Sequence, residues 1–111
     1  AARAAVESWK LAELVERSCD TFAGGLATTR PGNLALEVMV AYLERALLVD
    51  EADLYDGIAT MLRSCGIQVE GAAASVIAAL TRFGDHIPGD DVALVVTGSW
   101  ASHSEITQAL G

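Results

Sequence analysis

A chain of 111 residues has room for one compact domain, and 52% of its residues are hydrophobic against 20% charged, which excludes a disordered chain. Fifteen acidic side chains face seven basic ones, and Arg3, Lys10, Arg17, Arg30, Arg45, Arg63 and Arg82 stand singly, so the clustered cations that grip a phosphate backbone or an anionic membrane are missing. The longest stretch without a charged side chain, residues 92–104, is shorter than the roughly 18–20 apolar residues of a membrane-spanning helix.

Residues 4–22 predict an amphipathic helix, with Leu11, Leu14, Val15, Cys19 and Phe22 on one stripe at the three-and-four spacing of a helical face. Gly24-Gly25 ends it, and residues 28–33 form a connector. A second helix is expected over 33–49 with Asn33 as its N-cap. Leu36, Met39, Val40, Leu43 and Leu47 line one side and Leu34, Val38, Tyr42 and Val49 the other, which makes this helix the expected hub of the core. Asp50, Glu51 and Asp53 suit the start of a third helix, whose buried face would be Leu54, Ile58, Met61, Leu62 and Cys65, closed by Gly66. A fourth, over 69–83, carries Ala73, Val76, Ile77, Leu80 and Phe83. After a turn at 86–91, Val92-Ala93-Leu94-Val95-Val96 is short, continuous and β-favouring, which argues for a buried strand. Residues 105–110 would add a last helical turn or two, capped by Ser102 or Ser104. The fold class is therefore mostly α (α+β): about four amphipathic helices around a central helix 33–49, one strand near 92–96, and a single globular domain over 1–111.

A lone strand must find a partner, because its N–H and C=O groups cannot be buried unsatisfied. Residues 67–69 offer a weak one within the chain, and a second copy offers another; the third solution is that the run is helix rather than strand. The second solution makes the protein a homodimer, with Val92, Leu94, Val96 and Trp100 as interface residues.

Catalytic motifs are sparse. A calcium loop starting at Asp50 fails because Ala52, Leu54 and Tyr55 occupy positions three, five and six, where oxygen ligands and a glycine belong. Cys19 and Cys65 lack the paired spacing of a zinc site and read as small buried hydrophobes, with a disulfide as the alternative. His86 and His103 both fall in connectors, no nucleophile elbow is present, and Gly24-Gly25 lacks the lysine and hydroxyl of a phosphate loop. The chain opens on Ala1 rather than methionine, as a processed product or a fragment would, and residues 1–6 lack the layout of a signal peptide. A cytoplasmic location is expected.

Asp90-Asp91-Val92-Ala93-Leu94-Val95-Val96, preceded by the helix at 75–83, resembles the C-terminal end of bacterial PP2C-type (SpoIIE/RsbU-like) serine phosphatases over residues 75–97. Leu54-Tyr55-Asp56-Gly57 is faintly similar to that family's Asp-Gly motif. The resemblance implies that Asp90 and Asp91 help hold a divalent metal that activates water. The remaining residues point, by elimination, to a non-enzymatic protein-interaction or regulatory module without a cofactor, acting on a protein partner or as a homodimer. A third reading is a helical domain binding an apolar small ligand between Met39, Met61 and Phe83. Neither nucleic acid nor membrane is an expected partner.

Overall fold

The computed structural model describes residues 2–111. The chain divides into two compact units, one formed by the residues up to Phe22 with Leu26–Leu48, the other by Ala23–Gly25 with Val49–Gly111.

In the first unit, α1 (Ala4–Leu11) packs against α2 (Asn33–Tyr42). The helix expected over 4–22 stops at Leu11 because Ser8, fully buried, takes over a backbone donor. Its hydroxyl accepts the N–H of Val15 at 2.9 Å, a group that in a longer helix would donate to the carbonyl of Leu11. Ala12 adopts a left-handed conformation (φ 52°), so that its N–H reaches the carbonyl of Trp9 while the N–H of Glu13 reaches that of Ser8, the paired closure of a Schellman end. Arg17 folds back to an ion pair with Glu7 at 2.7 Å. Helix α2 is capped by Gly32 rather than Asn33 and ends at Tyr42, seven residues before the expected Val49. It is not the hub. Leu36 is its buried residue, whereas Leu34 and Tyr42 are largely exposed.

The second unit holds the larger core. Helix α3 (Glu51–Cys65) packs along α4 (Gly71–Phe83), and α5 (His103–Leu110) packs on α3. Leu54, Gly57, Ile58 and Ala59 on α3 meet Ala73, Ala74, Ile77 and Ala78 on α4, all buried. Small residues on both sides bring the backbones close, since a β-carbon at Gly57 would stand 2.8 Å from the carbonyl oxygen of Ala74. Gly66 closes α3 with φ 67°, a conformation that glycine adopts without steric cost. Helix α5 starts at Ser102, whose hydroxyl accepts the N–H of Glu105 while Glu105 accepts that of Ser102, as a capping box requires. Its last carbonyl, on Leu110, is met by Arg63 at 3.0 Å.

The start of α3 is an electrostatic knot. The N–H of Asp50 donates to the Asp53 carboxylate at 2.8 Å, and Arg82 of α4 reaches both Asp50 and Asp53 at 2.7 and 2.5 Å. The Asp50 N–H holds the Asp53 carboxyl below its usual value; burial opposes this, and Arg82 adds to the lowering. A carboxyl lowered in the folded state stabilises it above the unfolded value, about 3.9, and that contribution is lost as pH falls through the lowered value. Asp53→Asn is thus expected to flatten the fall of stability below about pH 4. Urea unfolding followed across pH checks this, and an unchanged acid limb would contradict it.

The fold is mostly helical, and no strand occurs among the described residues. Residues 92–96 carry no regular secondary structure and their side chains are exposed, which corrects the expected buried strand. Both cysteines are free; Cys65, the last residue of α3, is exposed rather than buried, and Cys19 is half-buried. No helix among the described residues is long and apolar enough to cross a membrane.

Candidate functional site

A polar constellation in the second unit joins three segments that are distant in sequence. Val69, fully buried, anchors the approach to α4. On either side of it, Gln68 and Glu70 reach the chain that leads into α5. The N–H of Glu70 donates to the carbonyl of Gly98 at 3.2 Å. The Gln68 Nε2 donates to the carbonyl of Ser99 at 3.2 Å and to that of Ala101 at 3.4 Å. The Glu70 carboxylate lies directly over Gly98: a β-carbon there would stand 2.5 Å from Cδ and 2.6 and 2.8 Å from the two carboxylate oxygens. Gly25 closes the third side, where a β-carbon would fall 2.8 Å from Ala72 Cβ and 3.5 Å from Glu70 Oε1. Glycine stands at 25 and 98 because the space of a side chain is already taken.

The result is a half-buried carboxylate held between two glycine backbones, with the exposed hydroxyls of Thr97 and Ser99 flanking Gly98. Among the described residues the Glu70 carboxylate has no hydrogen-bond partner, so its lone pairs are free to accept from an N–H or O–H donor.

The residues singled out from the sequence lie elsewhere. Asp90 and Asp91 are exposed in the stretch after α4, and no group of three metal-binding side chains occurs among the described residues. Val92, Leu94, Val96 and Trp100 are all exposed. Met39 sits half-buried on α2, Met61 half-buried on α3, and Phe83 at the end of α4 beneath the guanidinium of Arg82, 5.4 Å from its ring centre. A cleft of about 210 Å³ between α3 and α4 is lined by Asp53, Asp56, Gly57, Thr60, Ala78, Thr81 and Arg82, and neither Met61 nor Phe83 contributes to it.

Glu70 and Gly98 were not among the candidates from the sequence, where Gly24-Gly25 read as a helix breaker. The available signal was that Gly98 stands between the short polar residues Thr97 and Ser99, with no direct hint of the contact to Glu70, 28 residues earlier.

Residues 1–98 match the family model of pyridoxal-phosphate dependent enzymes. The chain belongs to that family. It is 34% identical over 78 residues to the L-threonine ammonia-lyase of Thermotoga maritima, covering 70% of this chain and 19% of that protein. Among solved structures, a threonine deaminase from T.th. superposes with a TM-score of 0.85 at 21% identity, over 91% of this chain and 36% of the other. The serine racemase of Dictyostelium discoideum gives 0.81 at 21% identity, over 91% and 33%. The chain thus spans about a fifth of that curated relative and about a third of these structures.

The match corrects two expectations. The resemblance of 75–97 to PP2C-type phosphatases rested on a helix, a polar turn and an apolar run, a pattern that many folds with alternating helices and strands contain. The family match covers that stretch and the helices before it. The inference to a non-enzymatic interaction or regulatory module falls too: it was drawn by elimination, from the want of a complete catalytic constellation in this chain, and the chain belongs to a family of enzymes.

Pyridoxal phosphate needs a lysine amine for its aldehyde and amides or cations for its phosphate. Lys10 is the sole lysine of the chain and is exposed in the last turn of α1, outside the unit that holds Glu70 and Gly98. The arginines of that unit are engaged, Arg63 with Leu110 and Arg82 with Asp50 and Asp53. At the start of α4 stands Glu70, whose negative charge opposes a phosphate. The residues around Glu70 therefore do not fit as a complete seat for the cofactor.

Proposed function

We propose that this chain acts as part of the catalytic domain of a pyridoxal-phosphate dependent enzyme that removes ammonia from a hydroxylated amino acid. The observation that carries the proposal is the clamped carboxylate of Glu70 against Gly98, built within the stretch that matches the family. In this role Glu70, Gln68 and the two glycines fix the course of residues 97–99, so that the Thr97 and Ser99 hydroxyls and the Gly98 backbone form one wall of a reaction chamber. Pre-set geometry of this kind is what positions a reactant against its catalytic groups. The lysine and the phosphate seat are supplied by other polypeptide of the same catalytic unit. The substrate class is inferred from the ammonia-lyase and deaminase names of the relatives.

A chimera tests this. With this chain in place of the segment it aligns with in the Thermotoga maritima enzyme, release of ammonia from L-threonine or L-serine is expected, and deletion of the segment is expected to abolish it. A folded chimera that binds pyridoxal phosphate and is inert toward both amino acids would overturn the proposal.

A further inference from the structure

The cleft between α3 and α4 has an apolar floor and a polar rim. Gly57 and Ala78, both buried, form the floor, and their small size leaves the space above them open. Asp56 and Thr60 stand four residues apart on α3, and Thr81 stands three residues after Ala78 on α4, spacings that keep each pair on one helical face. The three polar residues are exposed. Arg82, the one cation of the lining, is already taken, because its Nη1 donates to Asp50 at 2.7 Å and to Asp53 at 2.5 Å. Asp56 has no such partner among the described residues, and neither do the hydroxyls of Thr60 and Thr81. Other helical hydroxyls in this unit turn back onto their own helix, Ser75 to the carbonyl of Ala72 and Thr107 to that of His103. Those of Thr60 and Thr81 do not, so the rim offers one uncompensated carboxylate and two unengaged hydroxyls.

We infer that this cleft binds a small protonated primary amine. An ammonium group carries three N–H donors and no acceptor, which matches in number the carboxylate and two hydroxyls of the rim, and a short alkyl stem suits the floor of Gly57 and Ala78. Charge selects the same sign. Asp50 and Asp53 together outweigh Arg82, and Asp56 adds a further negative charge, so an anion is repelled. The bond from an ammonium to Asp56 is charge-assisted but open to water, which screens it, and binding at about millimolar concentration is expected. Thr81 lies about 17 Å along the α4 axis from Glu70, and the inference does not rest on the function proposed above. A free amine and a lysine side chain present the same head group, and the probes chosen below separate the two.

Nuclear magnetic resonance of the isotope-labelled chain tests the inference. Propylamine at neutral pH is expected to shift the amides of Gly57, Thr60, Ala78 and Thr81, saturating at about millimolar concentration. Tetramethylammonium, with the same charge and no N–H donor, is expected to leave them unmoved at equal ionic strength. Equal shifts from both cations would reduce the effect to diffuse attraction and overturn the inference, as would shifts confined to residues outside the cleft or no shift at all. Asp56→Asn is expected to weaken propylamine binding about tenfold or more, and Thr60→Val severalfold. Both side chains are exposed, so the melting temperature is expected to change little, and undiminished binding by Asp56→Asn would overturn the inference. Nα-acetyl-lysine amide is the second probe. If it binds more tightly than propylamine, the cleft is a seat for a protein lysine; if more weakly, for a free small amine, and either result supports the ammonium site.

Discussion

Gly57→Val is expected to lower the stability of the α3–α4 pair by about 3 kcal/mol and its melting temperature by roughly 10–20 °C. The β-carbon alone would stand 2.8 Å from the carbonyl oxygen of Ala74 and 3.2 Å from its Cβ. Neither atom can rotate away, because the oxygen is backbone within α4 and Ala74 is fully buried. The helices must separate instead, and separation opens the packing of Leu54 and Ile58, both almost fully buried. Removing a glycine from a helix interior returns at most about 1 kcal/mol, which does not offset the collision. Gly24→Ala is the matched control, since nothing lies within 4 Å of the added carbon. Thermal or urea unfolding of both variants checks the contrast, and equal stabilities would show that the α3–α4 approach is looser than the structure has it.

The parts of the fold that were legible are those decided by neighbours in sequence. The start of α3 at Asp50, its end at Gly66 and the Ser102 cap of α5 follow from hydrogen bonds spanning three to five residues, and the structure places all three there. The ends of α1 and α2 were not legible. Ser8 stops α1 by a bond to Val15, seven residues on, and no helix breaker occurs between Leu11 and Gly24. At 43–49 the apolar residues continue with little polar interruption, a pattern that periodicity cannot divide between buried helix and buried strand. The same ambiguity hides the hub. A helix apolar on every side reads as central, yet α3 and α4, with narrower stripes and more alanine and glycine, carry the larger core. The candidate site was illegible for a further reason. Searching for a nucleophile, a base and an acid in one chain finds only complete sites, while Glu70, Gly25 and Gly98 would supply one wall of the site we propose and hold no lysine among them.

Gly98→Ala separates that wall from the stability of the fold. The added carbon would meet the end of the Glu70 side chain, Cδ at 2.5 Å and the carboxylate oxygens at 2.6 and 2.8 Å, and a flexible side chain can swing aside where the backbone at Ala74 cannot. Gly98 is not among the positive-φ glycines, so alanine there carries no left-handed strain. The melting temperature is accordingly expected to change little. The carboxylate, however, must leave the cleft between Gly25 and Gly98, and a displacement of about 1 Å in a positioning group can cost about a hundredfold in rate. In the chimera, Gly98→Ala is expected to reduce ammonia release by about ten- to a hundredfold. Glu70→Ala identifies the cause. If the alanine acts by expelling the carboxylate, it costs nothing further once Glu70 is already gone, and the two substitutions are strongly non-additive. If the losses simply multiply, the carboxylate and the glycine serve the reaction separately, and the clamp is a packing feature rather than part of the site.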